Sequence, residues 1–187
     1  MAAVNSVDLA NCYNSVAHLF AFISLQCFVV SCMMAVMMLM VLQTMTSYLR
    51  TGFGVLTVTY GGNQFDPTIG LAQGNGAPSL DSTGVSTVQI EAYRQLGHGA
   101  ELMGAWSGLV FSLAAILYVD NSYRLHMAKS PTTTDTKFFE DVQTAKMDWG
   151  GLMQTTGGSL KSSKYFWNMM AWHWNKGVSS VKIEETE

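Results

Sequence analysis

The sequence predicts an all-α membrane protein with two transmembrane helices, a Gly-rich connecting loop and a C-terminal tail that holds short amphipathic or interfacial helices. Three observations favour this fold. Of the 187 residues, 49% are hydrophobic and only 12% are charged, whereas soluble domains carry roughly a quarter of charged residues. No Asp, Glu, Lys or Arg occurs from Leu9 to Leu49. A second uncharged run extends from Leu102 to Val119.

The first apolar run predicts transmembrane helix 1 over residues 16–48, after an N-terminal segment at 1–15. A helix needs about 20 apolar residues to cross a bilayer core, and this run is longer. Arg50, followed by Gly52 and Gly54, marks the end of the predicted helix.

The second run predicts transmembrane helix 2 over residues 99–120, with its helical part at about 100–120. Glu101 falls in the first turn, where the helix dipole favours a negative charge. Residues 49–98 then form a loop rich in Gly, Thr and Ser on the opposite side of the membrane. Within this loop, Val55–Tyr60 is a candidate strand because its residues favour β structure.

Two helices are predicted in the tail, residues 121–187. Over residues 135–149, Phe138, Val142, Ala145 and Trp149 recur at helical spacing and form one apolar face. Residues 163–176 are rich in aromatic side chains and are flanked by Lys, which is typical of an interfacial helix. A buried aromatic plug is the alternative. The predicted membrane-interface residues are Tyr165, Trp167, Trp172, Trp174, Lys161, Lys164 and Lys176.

Small residues recur every four positions in the second run, at Ala100, Gly104, Gly108 and Ser112. Such a stripe allows membrane helices to approach closely. The matching small residues of the first run are Ala17, Ala21, Ser24, Ser31 and Ala35. We therefore expect these nine residues to pack helices together, within the chain or against other transmembrane subunits.

Basic residues indicate the orientation of the predicted spans. The loop contains Arg94, with Arg50 at its border, whereas the tail contains eight basic residues. The positive-inside rule then places both termini on the matrix, stromal or cytosolic side. The loop has no Cys and no N-x-[ST] sequon, which favours an internal organelle membrane. The mitochondrial inner membrane is favoured, and the thylakoid is second.

Residues that carry chemistry are few. Ten Lys and Arg against 13 Asp and Glu exclude a nucleic-acid binder that depends on phosphate neutralisation. No catalytic motif is present, so we expect no enzyme, and no metal site is predicted. In the membrane topology, His98 lies on the loop side and His18 and His126 on the other side, so His98 and His18 are separated by roughly 30 Å. One haem cannot bridge them.

One segment carries a resemblance. Gln95–Gly108, QLGHGAELMGAWSG, resembles the pigment-binding helix of chlorophyll a/b-type antenna proteins, with matches at His98, Gly99 and Met103. Gln95 stands where that family has its ligating Glu, and Ala100 where it has the paired Arg. The resemblance implies Gln95 and His98 as candidate pigment ligands. We predict no cofactor, with chlorophyll or bound lipid as the alternatives.

The functional hypothesis is a non-catalytic accessory subunit of a large organellar membrane complex, either a respiratory-chain complex or the ATP synthase. Its partners are then other transmembrane subunits and membrane lipids. The first alternative is a pigment- or cofactor-binding subunit of a photosynthetic complex. The second is a small oligomeric channel or transport protein.

Overall fold

The computed structural model describes residues 1–10, 15–61, 70–71, 77–118, 121–175 and 178–186. The chain divides into two units. The first comprises Met1–Cys12 with Ser86–Glu187, and the second comprises Tyr13–Val85.

Helices and strands are mixed along the chain. In order they are β1 (Ala2–Ala10), α1 (His18–Cys27), α2 (Cys32–Thr44), β2 (Thr46–Thr51), β3 (Gly54–Gly61), α3 (Ala77–Gln95), β4 (Ala100–Met103), β5 (Val110–Leu113), β6 (Ala115–Tyr118), β7 (Asn121–Met127), α4 (Asp135–Thr155), β8 (Ser159–Leu160), β9 (Phe166–Asn175) and β10 (Val178–Thr186). A 3₁₀ turn at Ser162–Lys164 precedes β9.

A six-stranded antiparallel sheet forms the first unit, in the order β10-β9-β1-β7-β6, with the short β8 also paired to β1. The central β1 pairs with β7 so that Asn5 lies opposite Arg124 and Ala3 opposite His126. Because side chains alternate along a strand, these four residues lie on one face of the sheet. The register therefore brings a buried Arg and a buried His to the middle of this unit.

The helix α4 covers the sheet with one apolar face. Phe138, Val142, Ala145, Trp149 and Met153 are all buried along it. The first two pack in a cluster with residues of β1 and β9, and the last three pack with residues of β1 and α3. The helix covers the predicted segment 135–149 and buries the four predicted residues.

The helix α4 begins at Asp135 and extends past residue 149, where the sequence predicts its end. Thr134 is the N-cap, because its side chain accepts a hydrogen bond from the Lys137 amide, and the helix continues through Gly150 and Gly151 to Thr155. Two adjacent glycines lower helix propensity, but burial of Met153 beyond them holds the last turn.

The second unit contains α1, α2, the hairpin β2–β3 and residues 77–85 of α3. Its core cluster contains Val16, Ala21, Leu42, Leu71 and Val85. His18 is buried beside this cluster, and its Nε2 lies 2.6 Å from the Gly70 carbonyl oxygen.

The predicted first transmembrane helix, residues 16–48, is wrong: two helices occupy it, followed by the start of β2. The helical conformation is interrupted between Cys27 and Cys32, where Val29 adopts a positive φ of 62°. Ser31 then caps α2 by accepting a hydrogen bond from the Met34 amide. A Ser inside an apolar run was the signal for this break. Cys27 and Cys32 therefore belong to different helices.

The predicted second transmembrane helix, residues 99–120, is also wrong, because the described part of this segment forms the hairpin β4–β5 and then β6. Gly104 and Gly108 make the turn of the hairpin, where the Gly108 amide donates to the Gly104 carbonyl at 2.9 Å. Gly108 has a φ of 65°, which only glycine adopts without strain. The predicted small-residue stripe therefore does not form along a helix.

The predicted interfacial helix over 163–176 is wrong as well, because Phe166–Asn175 is a strand paired on both sides. Among the residues that the structure describes, no helix combines the length and apolar character needed to cross a bilayer. The all-α membrane fold is overturned by this mixture of helices and sheets. The placement in a mitochondrial inner membrane or thylakoid, and the orientation of the termini derived from it, is overturned with it.

The strained residue Val29 provides a test of the break between α1 and α2. It is 91% exposed, so its side chain contributes little packing, and a left-handed conformation costs a non-glycine residue roughly 1–2 kcal/mol. We expect Val29→Gly to raise the free energy of unfolding by about 1 kcal/mol, measured by urea denaturation. Val30→Gly is the control and should destabilise; equal effects of the two changes would contradict the break.

Candidate functional site

A buried cluster of ionisable and aromatic side chains lies at the centre of the first unit. Tyr93 comes from α3, His98 from the loop after it, His126 from β7 and Trp149 from α4. The ring centroids of Tyr93 lie 4.7 Å from His98, 6.1 Å from His126 and 5.2 Å from Trp149. The fold thus gathers three rings, each from a different segment, around Tyr93.

His98 is oriented by a carboxylate. Its Nε2 lies 2.7 Å from Oδ2 of Asp148 on α4. The side chain of His98 is largely buried, and that of Asp148 is about one-third exposed. Because the carboxylate accepts the bond, Nε2 carries the proton, and in the neutral imidazole Nδ1 is an acceptor. This nitrogen makes no hydrogen bond among the described residues.

His126 is held in the neutral form. Burial lowers its pKa to about 4, with Arg124 and His98 adding to the effect. Burial also raises the pKa of Tyr93, so the phenol keeps its proton and donates it to His126 Nε2, 3.1 Å away. The neighbouring imidazole of His126 therefore carries its own proton on Nδ1 at neutral pH.

Arg124 is fully buried on β7 beside this cluster. Its Nη2 donates to Asn5 Oδ1 at 3.0 Å, and Asn5 Nδ2 in turn donates to the Tyr165 hydroxyl at 2.5 Å. The guanidinium carbon lies 5.5 Å from the Trp149 ring centroid and 5.9 Å from that of Tyr165. Among the described residues, Nε and Nη1 have no hydrogen-bond partner. Burial lowers the pKa of Arg124, since the charged form loses its hydration.

A cavity opens beside His98. It has a volume of about 540 Å³, and a smaller one of about 80 Å³ adjoins it. Both share the loop Gly97–Gly99 and Lys129. Gly97 and Gly99 have φ values of 84° and 123°, so both favour glycine. The cavity volume falls within the range of roughly 300–1,000 Å³ that small-molecule pockets occupy.

The second unit presents a different surface, the exposed apolar side of α2. Met33, Met37 and Met40 recur at helical spacing and are 72%, 61% and 58% exposed. Of the whole helix, only Ala35 and Leu42 are buried. A helix that is apolar on all sides is normally buried. In α2, only a narrow stripe of the surface is buried.

Two hairpins also expose apolar side chains. In β2–β3 the exposed residues include Leu49, Phe53 and Val58, and at the tip of β4–β5 Trp106 is fully exposed. Among the described strands, each hairpin forms its own two-stranded sheet. A two-stranded hairpin is marginally stable in water, so these hairpins need further contacts to hold them.

The two predicted pigment ligands, Gln95 and His98, lie in different environments. Gln95 is exposed and donates to Glu91 Oε1 at 2.6 Å, whereas His98 lines the cavity.

The predicted membrane topology placed His98 and His126 on opposite sides of the membrane, yet their rings are 6.3 Å apart. The missed signal is the alternation of polar and apolar residues over 122–127, which is typical of a strand. The described residues contain no group of three His, Cys, Asp or Glu placed to hold a metal.

The predicted packing residues take several environments. Ala21, Ser24 and Ala35 are buried in the second unit. Ala17 and Ser31 are the N-caps of α1 and α2. In the first unit, Ala100 is buried, whereas Ser112 is exposed opposite Glu101 in the β4–β5 pair.

The predicted membrane-interface residues are distributed likewise. Trp167 is buried, Tyr165 packs beside Arg124, Lys164 pairs with Asp8 at 2.7 Å, and Lys161 is exposed. Trp172 and Trp174 belong to β9, but their side chains, like all of Lys176, lie outside the described residues.

Comparison with models of known protein families and with curated proteins finds no match for this chain. The site must therefore be interpreted from its own geometry.

Neutral, buried His126 predicts a pH dependence of stability. The unfolded state binds a proton near pH 6.5 and the folded state only near pH 4, so stability is complete above pH 6.5 and is lost as pH falls toward 4. Between pH 7 and 5 this group should account for about 2 kcal/mol of lost stability. His126→Gln, which keeps an acceptor for Tyr93, should remove that part of the loss in urea denaturation. An unchanged pH dependence would contradict the assignment.

Arg124 predicts an unusual order of substitutions. Met fills a similar volume without a charge, whereas Lys keeps a buried charge but loses the planar contact with two rings. We expect Arg124→Lys to be less stable than Arg124→Met by about 2 kcal/mol, measured by thermal and urea unfolding. Exposed Arg50→Met, the control, should change stability by less than about 0.5 kcal/mol. A Met variant less stable than the Lys variant would show that the cation stabilises the unit.

Proposed function

We propose that this chain is a non-catalytic subunit of a multiprotein assembly, and that it binds a partner protein through the exposed apolar surface of α2. The observation that carries the proposal is that α2 is apolar on every side while the chain buries only Ala35 and Leu42 of it. Exposed contiguous apolar surface of this kind marks interaction sites.

The chemistry of this surface defines the partner. The run from Leu9 to Leu49 has no charged residue, so α2 offers no ion pairs. A partner must therefore present an uncharged apolar surface, because a charge placed against α2 would be buried unpaired. Met side chains adapt to irregular partner surfaces, which fits a helix packed into a groove.

Burial of the exposed apolar side chains of α2 favours association with a partner. Burying one Met or Val side chain contributes about 1.5–3 kcal/mol, and α2 exposes Met33, Met34, Val36, Met37, Met40 and Val41. This gain acts against the loss of translational and rotational freedom, about 4–15 kcal/mol, and the ordering of side chains. The hairpin β2–β3 of the same unit offers further contacts, because a partner would stabilise it.

Pigment binding is not advanced, because Gln95, one of the two predicted ligands, is exposed and bonded to Glu91 within the chain.

The test places a photo-cross-linking amino acid at Met37, with the exposed position Gln143 on α4 as the control. We expect one protein to be captured in fixed stoichiometry from Met37 and not from Gln143. The triple variant Met33→Gln, Met37→Gln, Met40→Gln should remove the complex in sedimentation experiments with that protein, whereas Leu at the same three positions should keep it. Unfolding should be unchanged in both variants, since all three side chains are exposed.

Three results would contradict the proposal. Capture of a second copy of the chain alone would indicate a homo-oligomer. Capture of lipid alone would indicate a lipid-facing surface. Survival of the complex in the Gln variant would show that α2 is not the contact.

A further inference from the structure

The cavity beside His98 contains opposite charges that are not paired with one another. Lys129 and Glu101 both line it, both are exposed, and among the described residues neither makes an ion pair. The third charged residue on the wall, Arg94, is held by Glu91 through two hydrogen bonds of 2.8 and 2.7 Å. One available cation and one available anion therefore face the same space.

The ammonium of Lys129 is placed over the glycine loop. A Cβ added to Gly97 would lie 3.6 Å from Lys129 Nζ. Because Gly97 has no side chain, the space above this loop stays open to a ligand beside the ammonium. The loop also borders the smaller cavity, so Lys129 lines both cavities.

His98 contributes a ring nitrogen. Its Nε2 is held by Asp148, so Nδ1 is the ring atom that is left for an outside partner. Ser112, next to Glu101 across the hairpin, adds a hydroxyl that donates or accepts.

The wall also has an apolar part. Met127 and Ala128 line the larger cavity, and its volume of about 540 Å³ exceeds what a carboxylate and an ammonium need. The remaining volume suits an apolar side chain, since pockets bind such groups by burial and use a few polar contacts for orientation.

We propose that this cavity binds an α-amino acid with an apolar side chain, whose carboxylate contacts Lys129 and whose ammonium contacts Glu101. The site belongs to the first unit, and its argument is independent of the apolar surface of α2.

The experiment uses three matched probes on the full chain: L-leucine, isocaproate, which lacks the ammonium, and isopentylamine, which lacks the carboxylate. Amide signals of Gly97, His98 and Gly99 are followed by two-dimensional NMR. L-leucine should shift them saturably. Each half-probe should bind at least about tenfold more weakly, because each loses one charged contact.

Two substitutions separate the charges. Lys129→Gln should weaken L-leucine and isocaproate about tenfold and leave isopentylamine unchanged, and Glu101→Gln should do the reverse. Lys161→Gln and Glu140→Gln are exposed controls that do not line the cavity, and they should change nothing. All four variants alter exposed side chains, so they should fold.

The proposal is overturned if L-leucine produces no saturable shift. It is also overturned if isocaproate or isopentylamine binds as tightly as L-leucine, because the cavity would then be a simple anion or cation site. Equal effects of the control variants would show that the response is general electrostatics.

Discussion

The buried guanidinium of Arg124 is the constraint around which the first unit is organised. It reaches Asn5 on the neighbouring strand and lies against Trp149 and Tyr165, so one side chain contacts β1, α4 and the segment before β9. No carboxylate accompanies it among the hydrogen-bond partners in the described residues. Electron-rich ring faces and an amide oxygen compensate part of the cost of dehydrating the charge. Its positive charge also helps to keep His126 neutral.

The two units differ in which side chains they bury. In the first, several polar groups of the interior are paired: Tyr93 with His126, His98 with Asp148, and Gln89 with Thr156. Networks of this kind specify one arrangement, because each unpaired member would be costly. In the second unit, the apolar side chains of α2 are mostly unburied. This exposed apolar surface is the basis of the assembly role proposed above.

Parts of this fold were readable from local patterns. The face Phe138–Val142–Ala145–Trp149 repeats at helical spacing with polar residues between, and α4 buries it. The segment Val55–Tyr60 lies within β3. By contrast, Phe166–Asn175 has apolar and aromatic residues at nearly every position and therefore no clear period. It becomes a strand because β1 and β10 pair with it on both sides. The sequence predicted the candidate site only in part. It indicated His98 as a candidate ligand, but it assigned no site role to Asp148, His126 or Lys129.

The sequence by itself determined that a long uncharged apolar run lies near the start of the chain and that catalytic motifs are scarce, because both follow from composition. It also determined the amphipathic α4, because a period of 3.6 residues needs no information from elsewhere. Only the tertiary structure decided that the apolar runs are divided into shorter helices and hairpins. Hydrophobicity favours burial of a segment, but it does not specify which other segment buries it. The tertiary structure also decided which residues meet at His98. Those residues are up to 50 positions apart, and only the register of β7 and the packing of α4 bring them together.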